Sequence, residues 1–178
     1  WYACAMVCLP AAGFAVCIPC PVCHAKCPYG DSIPHVWATI GQGRWTEAYL
    51  KEIRRYGRET PDRVLRSVFF GGGTPSLMDT STVEAILNEI ARHWRFENDV
   101  EITLEANPTS IEMERFQGYR AAGVNRVSLG VQALNDADLR RLGRLHSVDE
   151  ALRGLDIARS TFERVNFDLI YARKGQPL

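Results

Sequence analysis

The sequence carries no excess of either charge. Its 178 residues include 21 lysines and arginines and 21 aspartates and glutamates, so the formal net charge is zero. This balance gives no bulk electrostatic reason to expect nucleic acid or an anionic membrane as a partner. With 46% hydrophobic residues, the chain is long enough to bury the core of one domain.

The apolar opening of the chain lacks the features of a targeting or membrane segment. Residues 1–22 contain no basic region and are interrupted at Pro10, Gly13, Pro19 and Pro21. We therefore expect neither a signal peptide nor a membrane span here, and no stable membrane insertion. Because the first residue is Trp rather than Met, we interpret the chain as a fragment of a longer protein, in which residues 1–13 have no assigned role.

Cysteine is absent after residue 27. The six cysteines lie at positions 4, 8, 17, 20, 23 and 27. A disulfide framework spreads its bridges across a small secreted fold, so this crowding favours a metal site in a reducing cytoplasm. Zinc is the rival metal, but structural zinc sites usually pair two cysteine knuckles some distance apart, and we identify no second knuckle in this sequence.

Four of these thiols fall within eleven residues. Their spacing, C-x2-C-x2-C-x3-C-P, is that of the bacterial ferredoxin run. Thiolates are soft ligands, and closely spaced cysteines hold iron–sulfur clusters. The stretch therefore predicts such a cluster, with Cys17, Cys20, Cys23 and Cys27 as candidate ligands.

The rest of the chain alternates between strand and helix patterns. Strands are predicted at 13–18, 64–70, 100–104, 127–131 and 165–170, and helices at 45–56, 81–94, 109–122, 136–142 and 147–162. Ser147 and Glu150 have the spacing of a capping box. The alternation predicts an α/β fold with a parallel sheet, either part of a barrel or an open doubly wound sheet.

Polar residues stand where the predicted strands end. Gly71, Gly72, Gly73 and Thr74 follow the second strand, Glu105 the third and Gln132 the fourth, and Asp168 lies in the fifth. Parallel α/β folds place their sites at the carboxyl ends of the strands. We therefore expect these residues to converge on one site.

Each of these residues also has a plainer interpretation. The triple glycine suits a tight turn as well as the close approach of a ligand, and it is no Walker loop because no Gly-Lys-Ser/Thr follows it. Glu105 and Gln132 suit solvated or backbone-bonded positions as well as a site. Asp168 lies in an apolar strand, where burial requires a partner, and Arg144 is the candidate partner.

Six motifs occur in order along the chain. They are CHAKCPY at 23–29, FFGGGTPS at 69–76, LEANP at 104–108, GVNRVSLGVQ at 123–132, LGRLH at 142–146 and FDLIY at 167–171. Together they resemble the radical S-adenosylmethionine (SAM) proteins of the oxygen-independent coproporphyrinogen III oxidase group. Within that group the chain is more similar to the HemW branch of haem chaperones than to the HemN oxidases.

This resemblance implies a partial TIM-type barrel. Residues 14–178 would form an incomplete radical SAM core domain that is truncated after about strand five. The resemblance also implies a 4Fe-4S cluster held by cysteines spaced C-x3-C-x2-C, with SAM bound at the open iron. Haem or porphyrin and haem-accepting proteins are the implied partners.

Individual residues match functional positions of the family. Cys23 and Cys27 match the first two cluster ligands. The residues that match its SAM-binding positions are Tyr29, Gly72, Gly73, Thr74, Glu105, Gln132, Arg144 and Asp168. Within this set, the glycines and the threonine correspond to the contact with the methionine moiety.

The cluster motif departs from the family pattern at four places. Gly30 stands at the third ligand position and offers no side chain. Cys17 occupies an aromatic position, and Pro19 and Cys20 replace the residues that usually follow it. A decayed copy, a sequence error and a changed site are the open explanations.

In a changed site, Cys20 would join Cys23 and Cys27 as a substitute ligand. If Cys17 also binds, thiolates occupy every iron, and the position that takes SAM is closed. Such a cluster would serve electron transfer or structure rather than radical initiation.

The function predicted from the resemblance is haem handling by a HemW-like protein with a cluster, SAM and possible haem as ligands. A rival function is coproporphyrinogen III oxidase activity, which converts propionates to vinyl groups. The oxidase branch carries an extra cysteine after its cluster motif, whereas this chain has Asp31 and Ser32. A second rival is a cluster- or haem-binding protein without catalysis, and a third is a non-functional remnant.

Overall fold

The computed structural model describes residues 4–9, 14–17, 44–71, 74–173 and 176. In chain order the elements are β1 (Cys4–Leu9), β2 (Phe14–Cys17), α1 (Trp45–Glu59), β3 (Val64–Gly71), α2 (Thr80–His93), β4 (Arg95–Ala106), α3 (Ser110–Met113), α4 (Phe116–Ala122), β5 (Arg126–Gln132), α5 (Asp136–Arg141), α6 (Val148–Thr161) and β6 (Arg164–Leu169). A short 3-10 turn, Pro75–Leu77, lies between β3 and α2.

The strands form a six-stranded sheet in the order β2-β1-β3-β4-β5-β6. Strands β3 to β6 pair in parallel, as the alternating pattern predicts. Their carboxyl ends therefore lie at the same edge of the sheet.

The sequence predicted the strand at 13–18 but no regular structure before it. The structure places β1 between β3 and β2 and antiparallel to both. Strand β1 was not predicted, and it separates β2, which contains most of the strand predicted at 13–18, from the four paired parallel strands. Pairing with β1 occupies the backbone groups that β3 would otherwise expose at a sheet edge. Because two antiparallel steps restore the direction, β2 runs the same way as β3.

The core lies between one face of the sheet and the helices. Alternate residues of β4 and β5, such as Leu104 and Leu129, are fully buried, and they cluster with Ile86 of α2 and Tyr119 of α4. Each fully buried large side chain contributes about 1.5–3 kcal/mol. The period of two places the intervening residues of these strands on the opposite face, which leaves that face for polar side chains.

Helix ends agree with the sequence at α6 and differ at two others. The capping box of α6 is confirmed: Ser147 N–H donates to Glu150 Oε2 at 2.8 Å, and Glu150 N–H donates to Ser147 Oγ at 3.2 Å. Helix α2 begins at Thr80, one residue before the predicted start, with Asp79 as N-cap. The helix predicted over 109–122 is divided into α3 and α4.

Candidate functional site

A cavity of about 160 Å³ opens at the carboxyl-terminal edge of the parallel strands. Its lining residues are Thr74, Pro75, Glu105, Ala106, Asn107, Ser128, Gly130, Gln132, Arg144 and Asp168. Half of them belong to the SAM-binding set that the resemblance implies, namely Thr74, Glu105, Gln132, Arg144 and Asp168. Residues that follow or end four different strands thus converge on one place.

A larger groove of about 800 Å³ lies at the opposite end of β3 and β4. It includes Arg66 and Glu97, which pair with each other at 3.3 Å. Sites in parallel α/β folds form at the carboxyl ends of the strands. The smaller cavity is therefore the better candidate site.

Two glycines make room for the side chains of this cavity. A Cβ atom on Gly71 would lie 3.2 Å from Glu105 Oε2 and 2.4 Å from the Phe69 ring. A Cβ atom on Gly130 would lie 2.9 Å from Gln132 Nε2. Cβ contacts below 3.0 Å essentially never occur and one at 3.2 Å is unusually tight, so the glycines give Glu105 and Gln132 room at the ends of β3 and β5.

Gln132 ends β5 in an unusual backbone conformation. Its φ is 70°, and Ala133 N–H donates to the carbonyl of Val131 at 2.9 Å, which closes a γ-turn. A turn of this kind with positive φ is rare, and a strained residue costs about 1–3 kcal/mol. The Gln132 carbonyl accepts from Ile170 N–H at 2.9 Å, and His146 Nε2 lies 3.2 Å from the Val131 carbonyl. These bonds hold the turn in place at the cavity.

Arg144 follows the end of α5. Gly143 adopts a left-handed conformation with φ of 69°, and Arg144 N–H donates to the Leu139 carbonyl at 2.9 Å. This closure fixes the backbone from which Arg144 reaches the cavity wall. Its Nε atom is buried and has no hydrogen-bond partner among the described residues. A buried donor without an acceptor costs about 1–3 kcal/mol. An anionic or hydroxyl oxygen of a ligand would accept from this Nε atom and remove that cost.

Asp168 differs from expectation in both burial and partner. It is exposed, as are its neighbours Phe167 at 47% and Leu169 at 45%. The reason is that β6 is the edge strand of the described sheet, so its apolar composition does not bury it. Its carboxylate accepts from Ser128 Oγ at 3.1 Å, and no ion pair joins it to Arg144 within the described residues.

Sequence reasoning missed the polar network behind Asp168. Asn166 Nδ2 donates to Ser128 Oγ at 2.8 Å, and Arg126 Nε donates to Asn166 Oδ1 at 3.0 Å. Arg126 also donates to Glu101 Oε1 at 2.6 Å. Alternation along β5 and β6 could have revealed these residues, because they share the face of the site residues.

The hydrogen bonds of this network favour the ionised form of the Glu101 carboxyl. Burial opposes its ionisation, but the hydrogen bond and the positive charge of Arg126 outweigh burial and lower its pKa. Glu101 therefore stays ionised and holds Arg126 in place. Through Asn166 and Ser128, this arrangement orients Asp168 at the cavity.

The remaining predicted site residues belong to the cysteine stretch and the glycine loop. Tyr29, Gly72, Gly73, Cys20, Cys23 and Cys27 lie outside the described residues. Cys17 ends β2, where it pairs with Met6, which in turn pairs with Phe69 near the end of β3. The backbone thus brings the start of the cysteine stretch to the edge that carries the cavity. Within the described part of the chain, no group of three or more His, Cys, Asp or Glu residues is arranged to hold a metal ion.

Comparison with known families identifies the superfamily of the chain. The family profile of the Radical SAM superfamily matches residues 17–178. The chain belongs to the radical SAM superfamily. Its α/β sheet with four parallel strands is accordingly a partial radical SAM barrel, and membership implies a 4Fe-4S cluster and SAM as the cofactors.

Curated relatives narrow the group within this superfamily. The heme chaperone HemW of Haemophilus influenzae is 39% identical over 164 residues, which are 89% of this chain and 43% of that protein. The mitochondrial radical S-adenosyl methionine domain-containing protein 1 of the mouse is 41% identical over 157 residues, 88% of this chain and 36% of that protein. The radical SAM chain described here therefore spans less than half the length of these relatives.

Solved structures give the same fold. Coproporphyrinogen III oxidase HemN from Escherichia coli matches with a TM-score of 0.67 and 29% identity, over 75% of this chain and 31% of that chain. The Elp3 protein of Methanocaldococcus infernus matches with a TM-score of 0.52 and 16% identity, over 74% of this chain and 35% of that chain. The second likeness concerns the fold alone.

The cavity suits part of a SAM molecule. Arg144 supplies an unsatisfied donor, Glu105 and Asp168 supply carboxylates, and the glycines leave space that a Cβ atom would fill. Its volume of about 160 Å³ is below the roughly 300 Å³ of a complete ligand pocket, so the described residues enclose only a portion of the ligand. The cysteine triad of the family fits less well, because Gly30 has no ligand atom at the third position.

Proposed function

We propose that the cavity binds SAM and that the chain is the radical SAM core of a HemW-like protein that handles haem. The convergence of Thr74, Glu105, Gln132, Arg144 and Asp168 around one cavity carries this proposal. Two carboxylates and one guanidinium give the lining a net charge of −1. SAM carries a sulfonium, an ammonium and a carboxylate, so its net positive charge complements the site.

We assign roles from the chemistry of each side chain. Arg144 would hold the SAM carboxylate through its free Nε donor, because guanidinium groups pair strongly with carboxylates. Glu105 would accept from the ammonium or from a ribose hydroxyl, and Gln132 and Asp168 would bond the remaining polar groups. By sequence position, Tyr29, Gly72 and Gly73 complete the same site.

The proposed cluster ligands are Cys23 and Cys27, with Cys20, and further Cys17, as substitutes for the missing third cysteine. Held by three of these thiolates, a 4Fe-4S cluster would supply an electron and an open iron for SAM, whereas ligation by Cys17 as well would close that iron. Because Gly30 departs from the family triad, we derive no reaction step through this cluster. The core domain that holds it is proposed to run over residues 14–178, with β1 attached through its pairing with β3.

Haem or porphyrin and haem-accepting proteins are the proposed partners. Support comes from relatives named heme chaperones, one of them 35% identical in Escherichia coli over 160 residues. We propose the cytoplasm as the location, because iron–sulfur ligands require reduced thiols. None of the described helices is long and apolar enough to cross a membrane.

Gly30 favours a second candidate, a haem- or cluster-binding protein without radical chemistry. Haem transfer needs no radical, so this function survives the loss of a cluster ligand. Oxidase activity of the HemN type is less favoured, since Asp31 and Ser32 stand where that branch has its extra cysteine.

The deciding experiment is anaerobic reconstitution with iron and sulfide, followed by EPR of the reduced protein with and without SAM. The parent chain is compared with Gly30→Cys. A cluster signal in the parent that shifts on addition of SAM supports the upstream cysteines as ligands. A response by the variant alone supports the binding protein, and haem titration into the cluster-free parent then tests that function directly.

A further inference from the structure

A buried carboxylate forms hydrogen bonds to two loops that line the cavity. Glu112 on α3 is 4% exposed and lies outside the set of predicted site residues. Its Oε2 accepts from Asn107 N–H at 2.6 Å and from Ser76 Oγ, and its Oε1 accepts from Asn107 Nδ2 at 3.3 Å and Thr109 Oγ1 at 3.3 Å. Four donors therefore converge on one side chain.

These bonds set the orientation of the Asn107 amide. An ionised carboxylate only accepts hydrogen bonds, so Asn107 must turn its Nδ2 group toward Glu112. The Oδ1 atom then faces the other way. It lies 3.4 Å from the position that a Cβ atom on Gly130 would occupy, and both residues line the cavity. Asn107 thus presents an acceptor to the cavity.

The same carboxylate reaches the loop after β3. Ser76 is fully buried, and its carbonyl accepts from Tyr119 Oη at 2.7 Å. The preceding residues, Thr74 and Pro75, line the cavity. Glu112 therefore fixes the loop after β3 relative to the loop after β4.

We propose that Asn107 is a further ligand-binding residue and that Glu112 is its positioning residue. The Asn107 amide oxygen accepts a hydrogen bond from a donor group of SAM, a ribose hydroxyl or the ammonium. This inference rests on the proposed function, because SAM is the ligand. An amide oxygen adds an acceptor and leaves the net charge of the lining at −1.

The test is Glu112→Gln, which keeps the size of the side chain. The glutamine oxygen can replace Oε2, but its amino group must donate where Oε1 accepted, and Asn107 must then turn its own amide. Calorimetry with SAM should show an affinity about five- to tenfold weaker, as expected for one lost hydrogen bond in a buried site. Glu114→Gln, at an exposed position two residues away, is the matched control and should bind like the parent.

A double variant separates positioning from structural support. Asn107→Asp combined with Glu112→Gln exchanges the amide and the carboxylate, so every internal bond has a donor and an acceptor again. The carboxylate introduced by Asn107→Asp would also present an oxygen to the cavity whichever way it turns. The double variant should recover the parent's affinity for SAM. Equal weakening in the single and double variants would overturn the proposal, since it would show a merely structural role.

Three further readouts complete the test. Methylthioadenosine, which lacks the ammonium, and methionine, which lacks the ribose, identify the donor: Glu112→Gln should weaken one of them and spare the other. Without ligand, the Asn107 side-chain amide resonances in NMR spectra should move in Glu112→Gln and not in Glu114→Gln. SAM binding by the parent with no change in Glu112→Gln overturns this inference alone. Failure of the parent to bind SAM overturns the proposed function together with it.

Discussion

A buried carboxylate and a buried guanidinium nitrogen of this protein differ in their hydrogen bonding. Glu89, between α1 and α2, is 4% exposed and accepts from Arg54 at 2.8 Å, Arg92 at 3.0 Å and His93 at 3.2 Å. Arg144, at the cavity, has a buried Nε without a partner among the described residues. Glu89 is thus paired where the helices pack, whereas Arg144 Nε is open at the cavity where we propose that a ligand binds. Arg173 Nε is also buried without a partner in this part of the chain, but the same guanidinium pairs with Asp138 at 3.0 Å. We expect from this contrast that Arg144 contributes to ligand binding rather than to stability.

The hydrogen bonds to Glu89 also determine its ionisation. The hydrogen bond from Arg54 is the largest influence on Glu89, and with the other donors it outweighs burial and lowers the pKa of Glu89 to about 2. The folded protein therefore favours the ionised form of this carboxyl far more than the protonated form.

Arg144→Met should produce the largest effect on binding. We expect SAM affinity to fall about ten- to hundredfold, because a charge-assisted bond to the carboxylate is lost. Stability should stay equal to that of the parent or rise, since a buried donor without a partner is removed. Calorimetry and thermal unfolding measure the two quantities. Arg140→Met, at an exposed position of α5, is the control, and a marked loss of stability in Arg144→Met would break the comparison.

Glu89→Gln should have the reverse profile. The free energy of unfolding should fall by about 1–2 kcal/mol, a value moderated by the exposure of Arg54 and Arg92, while SAM binding remains unchanged. Urea unfolding gives the first quantity and calorimetry the second. Glu84→Gln, exposed on the same helix, should lie within about 0.5 kcal/mol of the parent. An unchanged unfolding midpoint in Glu89→Gln would contradict the structural role.

Lowering the pH should reduce the difference in stability between the parent and Glu89→Gln. Because the pKa of Glu89 is lowered from 4.5 to about 2 on folding, its contribution is complete above pH 4.5 and is lost as the pH falls toward 2. The stability difference between the parent and Glu89→Gln should therefore shrink over this range. Urea unfolding at a series of pH values checks it, and a difference that is constant with pH would show that ionisation is not the cause.

Gly130→Ala should give the smallest effect. The new Cβ atom would meet Gln132 Nε2 at 2.9 Å, but that atom ends a flexible side chain and can move. We expect SAM affinity to weaken by about threefold, roughly the value of a shifted neutral hydrogen bond. Gly118→Ala contacts Thr80 far from the cavity and serves as a comparison for backbone effects. Equal SAM affinity in both variants would show that Gly130 does not contribute to SAM binding.

Local patterns predicted most of the fold correctly. The parallel strands β3 to β6 and the Ser147 capping box depend on residues that are close in sequence, so their signals are readable there. Strand β1 was not predicted, because its short apolar segment has no strand signal of its own and is a strand through its pairing with β3. The exposure of Asp168 was missed for a related reason, since an apolar strand is buried only if another element covers it.

Motifs and strand order determined the family, the parallel α/β sheet and the edge at which Thr74, Glu105, Gln132, Arg144 and Asp168 meet. Tertiary structure alone decided that the buried Arg144 Nε has no partner among the described residues, and that Ser128 rather than Arg144 contacts Asp168. It also decided that the Asn107 amide nitrogen bonds to Glu112, which turns the amide oxygen the other way. The physical reason is that hydrogen bonds depend on distances of a few tenths of an ångström between residues far apart in the chain. Periodicity and spacing place a residue on a face or at an edge, and only packing selects its partner.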